Sequence, residues 1–387
     1  MKHLGDITLI DGSKIEPVDV ITFGSPCQDL SIAGKRAGLA GQRSGLFMEA
    51  VRIIKQMQEA TNGEYPKYAV WENVPGAFSS NKGKDFLAVL EELIRIKEPT
   101  ISLPEPPKSK WSKAGEVSGS GWSLAWRTMD AQYWGVPQRR LRISLVLDLT
   151  GQRAGEILFE PESLRGHFAP SITPGQATAG AVENGAGTAN GVYAEVGNIC
   201  AFKLGNSEQA RSIGNDCSPA IRSRDYKDPN IVCYDARGNG DGMLSPTITG
   251  DHNSRITDYT TVVIEKIIRW IVRRLTPTEC ERLQGYPDGW TDLGEWVDSK
   301  GKAHKAADAP RYKALGNSIA LPQWYYVLGG IADRLPDNAT LGSLFDGIGG
   351  FPYVWTQLHA GRKELCVWAS EIEEFPIAVT KVHFPES

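Results

Sequence analysis

The chain has no C-x-x-C pair, few histidines and no long apolar run. Its six cysteines (Cys27, Cys200, Cys217, Cys233, Cys280 and Cys366) stand singly, and its six histidines are scattered. That leaves no zinc-ligand spacing, so no metal is expected. Without an eighteen-residue apolar stretch there is no sequence signal for a membrane span. The opening residues Met1–Asp6 lack the pattern of a signal peptide. Free thiols in a reducing cytoplasm are therefore expected rather than disulfides. An excess of positive charge is also missing: the net charge is −4. This excludes a histone-like binder coated in cations, but not a protein with a local basic patch. What remains, over 387 residues with 41% hydrophobic and 23% charged, is ordinary soluble composition with a large core and two expected domains.

One stretch organises the rest. Val18, Val20, Ile21 and Phe23 are β-branched or aromatic and read as a short buried strand. Gly24-Ser25-Pro26-Cys27 is a turn sequence, which puts Cys27 just past the C-terminal end of that strand. Ligand sites of open α/β sheets lie there. A thiol so placed suits a nucleophile, although a lone cysteine more often serves as a small buried apolar residue.

Gly34–Gly45 combines four glycines with Lys35, Arg36 and Arg43 and reads as a basic loop. Leu46–Glu59 has helical spacing. Tyr68–Trp71 is a strand running into Glu72-Asn73-Val74, and Phe86–Ile96 is a helix. Residues 98–121, rich in Pro, Ser, Gly and Lys, read as a surface loop. Ser123–Arg127 and Leu141–Leu149 are strands, and Arg142 interrupts the second. A charge in a core strand is costly unless paired, so Arg142 is expected to face a site.

Residues 161–198 read as partly disordered and 200–264 as all-β, with a weak repeat of 217–225 in 244–251. The arginines there, among them Arg211, Arg222, Arg224, Arg237 and Arg255, suit phosphates or base edges, or are ordinary surface charge. Helical spacing returns over Ile267–Val272. Thr276-Pro277-x-Glu279 is a capping box, and Gly285 ends that helix. Residues 291–310 read as a polar loop, and Tyr312–Ala320 as a segment leading into a helix. Near the C-terminus, strand Thr340–Phe345 meets the turn Asp346-Gly347-Ile348-Gly349-Gly350, which opens a helix suited to an anionic group. Strand Leu365–Ser370 then ends in Glu371, placed as a ribose-binding acid would be.

Together these blocks resemble the C5-cytosine DNA methyltransferases, particularly those of phage type. The matching segments are 345–351, 370–372, 5–8, Gly24–Gln28, Glu72–Val74, Gln138–Ile143, Arg274–Pro287 and Ala314–Ser318. They span about two thirds of the chain, and the Pro-Cys-Gln, Glu-Asn-Val and Gln-Arg-Arg-x-Arg set is highly specific. One departure is large: that family begins with the glycine loop, whereas here it lies near the C-terminus. The motif order looks circularly permuted, and residues 383–387 read into Met1–Asp6 as one family-like passage.

The resemblance implies an α/β fold with a doubly wound, mostly parallel sheet of Rossmann-like methyltransferase type. It implies a catalytic domain in two parts, 1–150 and 267–387, separated by a β-rich target-recognition domain at 151–266. It implies methyl transfer from S-adenosylmethionine to C5 of a flipped cytosine in duplex DNA, within a restriction-modification setting, by a cytoplasmic monomer of bacterial or phage origin. Cys27 would be the nucleophile, Glu72 would act at N3, Arg142 would hold the base at O2, and Arg140 would orient this group. Phe345, Asp346, Gly347, Gly349, Gly350, Glu371, Ile372, Asp6 and Asn317 would line the cofactor pocket. Gln28, Ser31, Arg36, Arg43, Arg222, Arg224, Arg237 and Arg255 would contact DNA. The competing readings are a tRNA cytosine-C5 methyltransferase, a catalytically silent DNA-binding relative, and a nicotinamide dehydrogenase, which explains only the glycine loop and Glu371.

Overall fold

The computed structural model describes residues 1–25, 45–159 and 275–386, together with the backbone of short strands at 199–203, 211–215, 218–219, 230–234 and 272–274. The main sheet has eight strands: β1 (Lys2–His3), β2 (Val20–Phe23), β3 (Tyr68–Asn73), β4 (Ala114–Gly119), β5 (Trp122–Asp130), β6 (Leu141–Asp148), β7 (Leu341–Leu344) and β8 (Cys366–Ser370). Their spatial order is β1-β8-β7-β2-β3-β6-β5-β4. The first five run parallel, and β6, β5 and β4 follow antiparallel, so six of the eight point one way.

The central strands are apolar on both faces because helices cover both. Side chains alternate between two cores. Val20, Tyr68, Val70 and Val146 enter one, and Ile21, Phe23, Ala69, Trp71, Leu145 and Leu147 the other. Helices α1 (Gly45–Ala60) and α2 (Lys84–Ile94) seal the second face through Phe47, Ile54, Phe86 and Leu90. On the first face lie α3 (Ala154–Leu158), α4 (Pro277–Gln284), α5 (Asp308–Asn317), α6 (Pro322–Ala332), α7 (Gly350–Leu358) and α8 (Glu374–His383). Burying such side chains stabilises by about 1.5–3 kcal/mol each. The glycine of β7 is required by packing: the indole of Trp368 on β8 lies where a side chain at Gly342 would project.

From β7 the chain crosses by α7 to β8 on one side, while from β2 it crosses by α1 to β3 on the other. The neighbours β7 and β2 therefore flank the topological switch point. After α8 the chain returns to the edge of this sheet. The Met1 amino group donates to the Pro385 carbonyl at 3.2 Å, and the Leu4 amide donates to the Ala369 carbonyl at 2.8 Å. Residues 383–386 and 1–4 thus adjoin in space as consecutive parts of one crossover would.

Several local expectations change. Residues 114–119, read as loop, form edge strand β4, because they pair with β5 along its length and Trp126 packs over Gly115. Val272, read as helical, lies in a strand (272–274) paired with 230–234, in a small sheet that also holds 199–203 and 211–215. Residues 291–310 include a two-stranded ribbon, Trp296–Val297 with Ala303–His304, and the first turn of α5. Tyr312–Asn317 lies inside α5 rather than ahead of a helix. The capping box forms as expected: Thr276 accepts from the Glu279 amide at 3.2 Å, and Glu279 accepts from the Thr276 amide at 2.7 Å. Gly285 ends α4 with φ +85°, the left-handed conformation that glycine adopts freely. The basic loop 34–45 (apart from Gly45), the 161–198 segment and most of the weak repeat lie outside the described residues.

Candidate active site

Parallel pairing of β1, β8, β7, β2 and β3 turns their C-terminal ends to one edge. Asp6, Glu371, Asp346, the Gly24-Ser25 turn and Glu72 therefore follow one another along that edge. Five segments distant in the chain supply one row of polar groups.

One half of this row is built on the turn after β7. Phe345, Gly347 and Gly349 all have positive φ (+55°, +58° and +79°), and α7 begins at Gly350. The Asp346 amide donates to the Ser370 carbonyl at 3.0 Å, tying the turn to β8. Glu371 accepts from three backbone amides: Gly347 at 2.9 Å, Ile372 at 2.7 Å and Glu373 at 2.9 Å. A side chain at Gly350 would collide with the Tyr286 hydroxyl, which hydrogen-bonds the Ser318 hydroxyl at 2.5 Å. The Trp290 indole donates to the Ile348 carbonyl at 2.9 Å and holds the turn from above.

Asp6 caps the 3-10 turn Ile7–Leu9 by accepting from the Thr8 amide at 2.9 Å. The Ser370 hydroxyl donates to the neighbouring Gly5 carbonyl at 2.7 Å, which sets this turn beside Glu371. Ile372 is 67% exposed at the mouth. Asn317 is exposed on the last turn of α5, and Lys313 of the same helix pairs with Glu373 at 2.7 Å. Asp346 differs from the other polar groups: it is buried, and neither carboxylate oxygen has a hydrogen-bond partner among the described residues. Burial, reinforced by Glu371 and opposed by the Ser343 hydroxyl, pushes its carboxyl up to about 7.

The other half lies across β2, β3 and β6. Glu72 on β3 stands opposite Ser144, so Arg142 is its diagonal neighbour on the same face. The Arg142 guanidinium lies 3.0 Å from the Glu72 carboxylate, and both side chains keep partial exposure, 18% and 14%. Gly24 leaves room here, since a Cβ on it would sit 3.5 Å from Glu72 Oε2. Ser25 is locked in place: its hydroxyl accepts from the Trp71 indole at 3.1 Å, and its carbonyl accepts from the Asn73 amide group at 3.3 Å. The carbonyl oxygen of the Asn73 side chain in turn accepts from the Val74 amide at 2.8 Å. The segment leading to Cys27 thus departs from beside Glu72.

Arg140 is buried and donates to the carbonyls of Ser318 and Gly316 (the latter at 3.4 and 3.5 Å), clamping the C-terminal end of α5. Residues 138–139 pair in parallel with 218–219, which brings the backbone of that short strand against this same segment. Glu72 and Arg142 are therefore together, Arg140 holds the end of α5, and Asp6, Asp346 and Glu371 share one edge. Cys27, Gln28, Ser31, Arg36, Arg43, Arg222, Arg224, Arg237 and Arg255 lie outside the described residues. Asn73, Tyr286 and Trp290 were assigned no role from sequence. Only their placement inside the quoted Glu-Asn-Val block, or in and just after the Gly-Tyr-Pro block, signalled them.

The sequence profile of the C-5 cytosine-specific DNA methylase family matches residues 1–97 and 112–332. The match stops short of the 345–350 turn and Glu371. A DNA N-6-adenine-methyltransferase of Escherichia phage P1 is 30% identical over 86% of this chain and 55% of its own length. The type II methyltransferase M.HpaII of Haemophilus parainfluenzae is 27% identical over 82% of this chain and 73% of its own. M.BsuFI of Bacillus subtilis is 33% identical over 38% of this chain and 28% of its own. The chain thus spans about half the length of the phage P1 relative. With the profile matching most of its length, the chain belongs to the C-5 cytosine-specific DNA methylase family.

Proposed function

We propose that the chain transfers a methyl group from S-adenosylmethionine to C5 of a cytosine flipped out of duplex DNA. The observation that carries this reading is the Glu72–Arg142 pair standing beside the start of the Cys27 segment. The cofactor half suits an adenosyl amino acid: Glu371 is an acceptor for ribose hydroxyls, exposed Ile372 offers an apolar face for adenine, and the 345–350 turn presents backbone N–H groups. When bound, the cofactor supplies an electrophilic methyl group.

Cytosine C5 is a poor nucleophile by itself. The Cys27 thiolate adds to C6 and turns the ring into an enamine with electron density at C5. Glu72 hydrogen-bonds N3 and eases that addition. Arg142 holds O2 while keeping Glu72 oriented. Loss of the C5 proton then lets the C6–S bond break and releases Cys27. The region 151–266 reads the major groove, and the base is flipped out of the duplex to reach Cys27. The spatial junction of residues 383–386 with 1–4 supports a permuted motif order. The enzyme acts in the cytoplasm of a bacterial or phage-infected cell.

The test uses duplex DNA carrying 5-fluorocytosine with S-adenosylmethionine present. Fluorine cannot leave as a proton does, so a denaturant-stable adduct at Cys27 is expected. Methyl groups recovered as N6-methyladenine, with no adduct formed, would overturn the reading. That outcome is specific, because the phage P1 relative is named for adenine methylation.

A further inference from the structure

The edge that carries Glu72 continues past it into a surface of like charge. Glu72 on β3 stands opposite Ser144 on β6, Ser144 opposite Arg127 on β5, and Arg127 opposite Ala114 on β4. Ala114 is therefore level with Glu72 and three strand spacings away, about 14 Å. Because β4 runs opposite to β3, the segment leading into β4 and the segment following β3 meet at this edge. Trp111 joins them: its indole N–H donates to the Gly83 carbonyl at 2.8 Å, and its amide donates to the Phe78 carbonyl at 3.2 Å. Beneath, the Trp111 ring packs edge-on against Phe86 and Trp126, with centroids 5.7 Å apart in each pair. Residues 79–84 and 105–113 carry five lysines, Lys82, Lys84, Lys108, Lys110 and Lys113, and one carboxylate, Glu105. Lys84 takes up Glu105 at 3.0 Å. The other four lysines are exposed and have no ion pair among the described residues. In a chain of net charge −4 this is a local positive patch against the general balance. Lys82 and Lys108 also take positive φ (+57° and +55°), a conformation that ordinary surface lysines avoid.

Resting on the DNA reading above, we propose that Lys82, Lys108, Lys110 and Lys113 bind the phosphate backbone of the duplex beside the flipped cytosine. Four point charges spread over two loops suit a row of anions rather than one bidentate partner. Duplex DNA supplies such a row, one negative charge per about 1.7 Å of axis. The separation of about 14 Å between Glu72 and β4 is close to the roughly 12 Å width of the major groove. With the base against Glu72, phosphates flanking it fall over these loops. Contacts of this kind fix position and carry no sequence information. The lysines therefore add affinity for any duplex and leave the choice of target to other residues.

The deciding measurement is the salt dependence of duplex binding, read by fluorescence anisotropy with S-adenosylhomocysteine present. The combined variant Lys82→Gln/Lys108→Gln/Lys110→Gln/Lys113→Gln should weaken binding at low salt by at least about 100-fold. It should also flatten the slope of log Kd against log salt by about three to four units, near one per lysine. The loss should be the same for duplexes of unrelated sequence, and arginine at the same four positions should retain affinity and slope. Thermal melting and S-adenosylhomocysteine affinity should be unchanged, which separates a lost contact from a damaged fold. Lys14→Gln/Lys55→Gln, outside these loops, should change neither affinity nor slope. An unchanged slope in the fourfold variant, an equal effect of the control pair, or a loss seen with tRNA and not with duplex DNA would overturn the proposal while leaving the DNA reading to stand on wild-type methyl transfer. A wild type that binds no duplex at all would overturn the DNA reading and this proposal with it.

Discussion

Glu72 and Asp346 end strands on either side of β2, one in each half of the row, and their surroundings are opposite. Glu72 keeps partial exposure and has the Arg142 guanidinium at 3.0 Å. Asp346 is buried, has no partner among the described residues, and faces a second carboxylate, Glu371. The half proposed to hold the base is thus assembled from opposite charges within the chain. The other half keeps a carboxylate that no cation pairs among the described residues.

The comparison breaks most severely at the nucleophile. Cys27→Ser should reduce labelled methyl transfer to duplex DNA by at least about 10³-fold, because a serine hydroxyl is a far weaker nucleophile than a thiolate. Its affinity for S-adenosylhomocysteine should be unchanged. A variant with full activity would remove Cys27 from the chemistry.

Glu72→Gln should come next, lowering transfer by about 10²–10⁴-fold, the usual span for a lost acid–base group. Cofactor affinity should again hold. An equal loss of both would mean that the two halves do not act separately.

A third test concerns stability rather than rate. The Asp346 carboxyl is raised from its ordinary 3.8 to about 7, so the folded protein binds more protons than the unfolded chain between those values. Folding stability should therefore fall as pH rises from about 4 to about 7, by at most about 1.4 kcal/mol per pH unit, and this contribution should be flat above. Asp346→Asn should remove that slope in urea titrations, and a slope that persists would assign it elsewhere.

The smallest effect is expected at Asn73. Asn73→Ala leaves the Ser25 carbonyl and the Val74 amide without their partner, costing about 1–3 kcal/mol in chemical denaturation. Because Ser25 leads to Cys27, transfer should fall more than cofactor affinity does. Unchanged stability together with an unchanged rate would show that the anchor is idle.

Much of the scaffold was legible because local chemistry and tertiary demand agree there. Val20–Phe23 and Leu341–Leu344 are apolar strands bounded by turn residues, and Thr276 with Glu279 has the spacing of a capping box. The misreadings fall where pairing overrides composition. Residues 114–119 look like loop but follow β5, and Val272 continues an apolar helical pattern yet pairs with Cys233. The first turn of α5 is polar, and its place is set by Arg311 reaching buried Glu281 at 3.2 Å, a contact between distant segments.

Within the site, the sequence by itself determined the chemistry on offer: a thiol after a strand, a carboxylate in Glu-Asn-Val, an arginine interrupting an apolar strand, and a glycine turn before a helix. These are properties of short segments, set by residue type and neighbours. Tertiary structure alone decided which of them meet. Parallel pairing of β7 with β2, more than 300 residues apart in the chain, turns the ends of both strands to one edge. The antiparallel register of β3 and β6 sets Arg142 diagonal to Glu72. No pattern in the residues around Asp346 shows that its carboxyl is buried beside Glu371 with no cation paired to it among the described residues, because burial is a property of everything packed around a group.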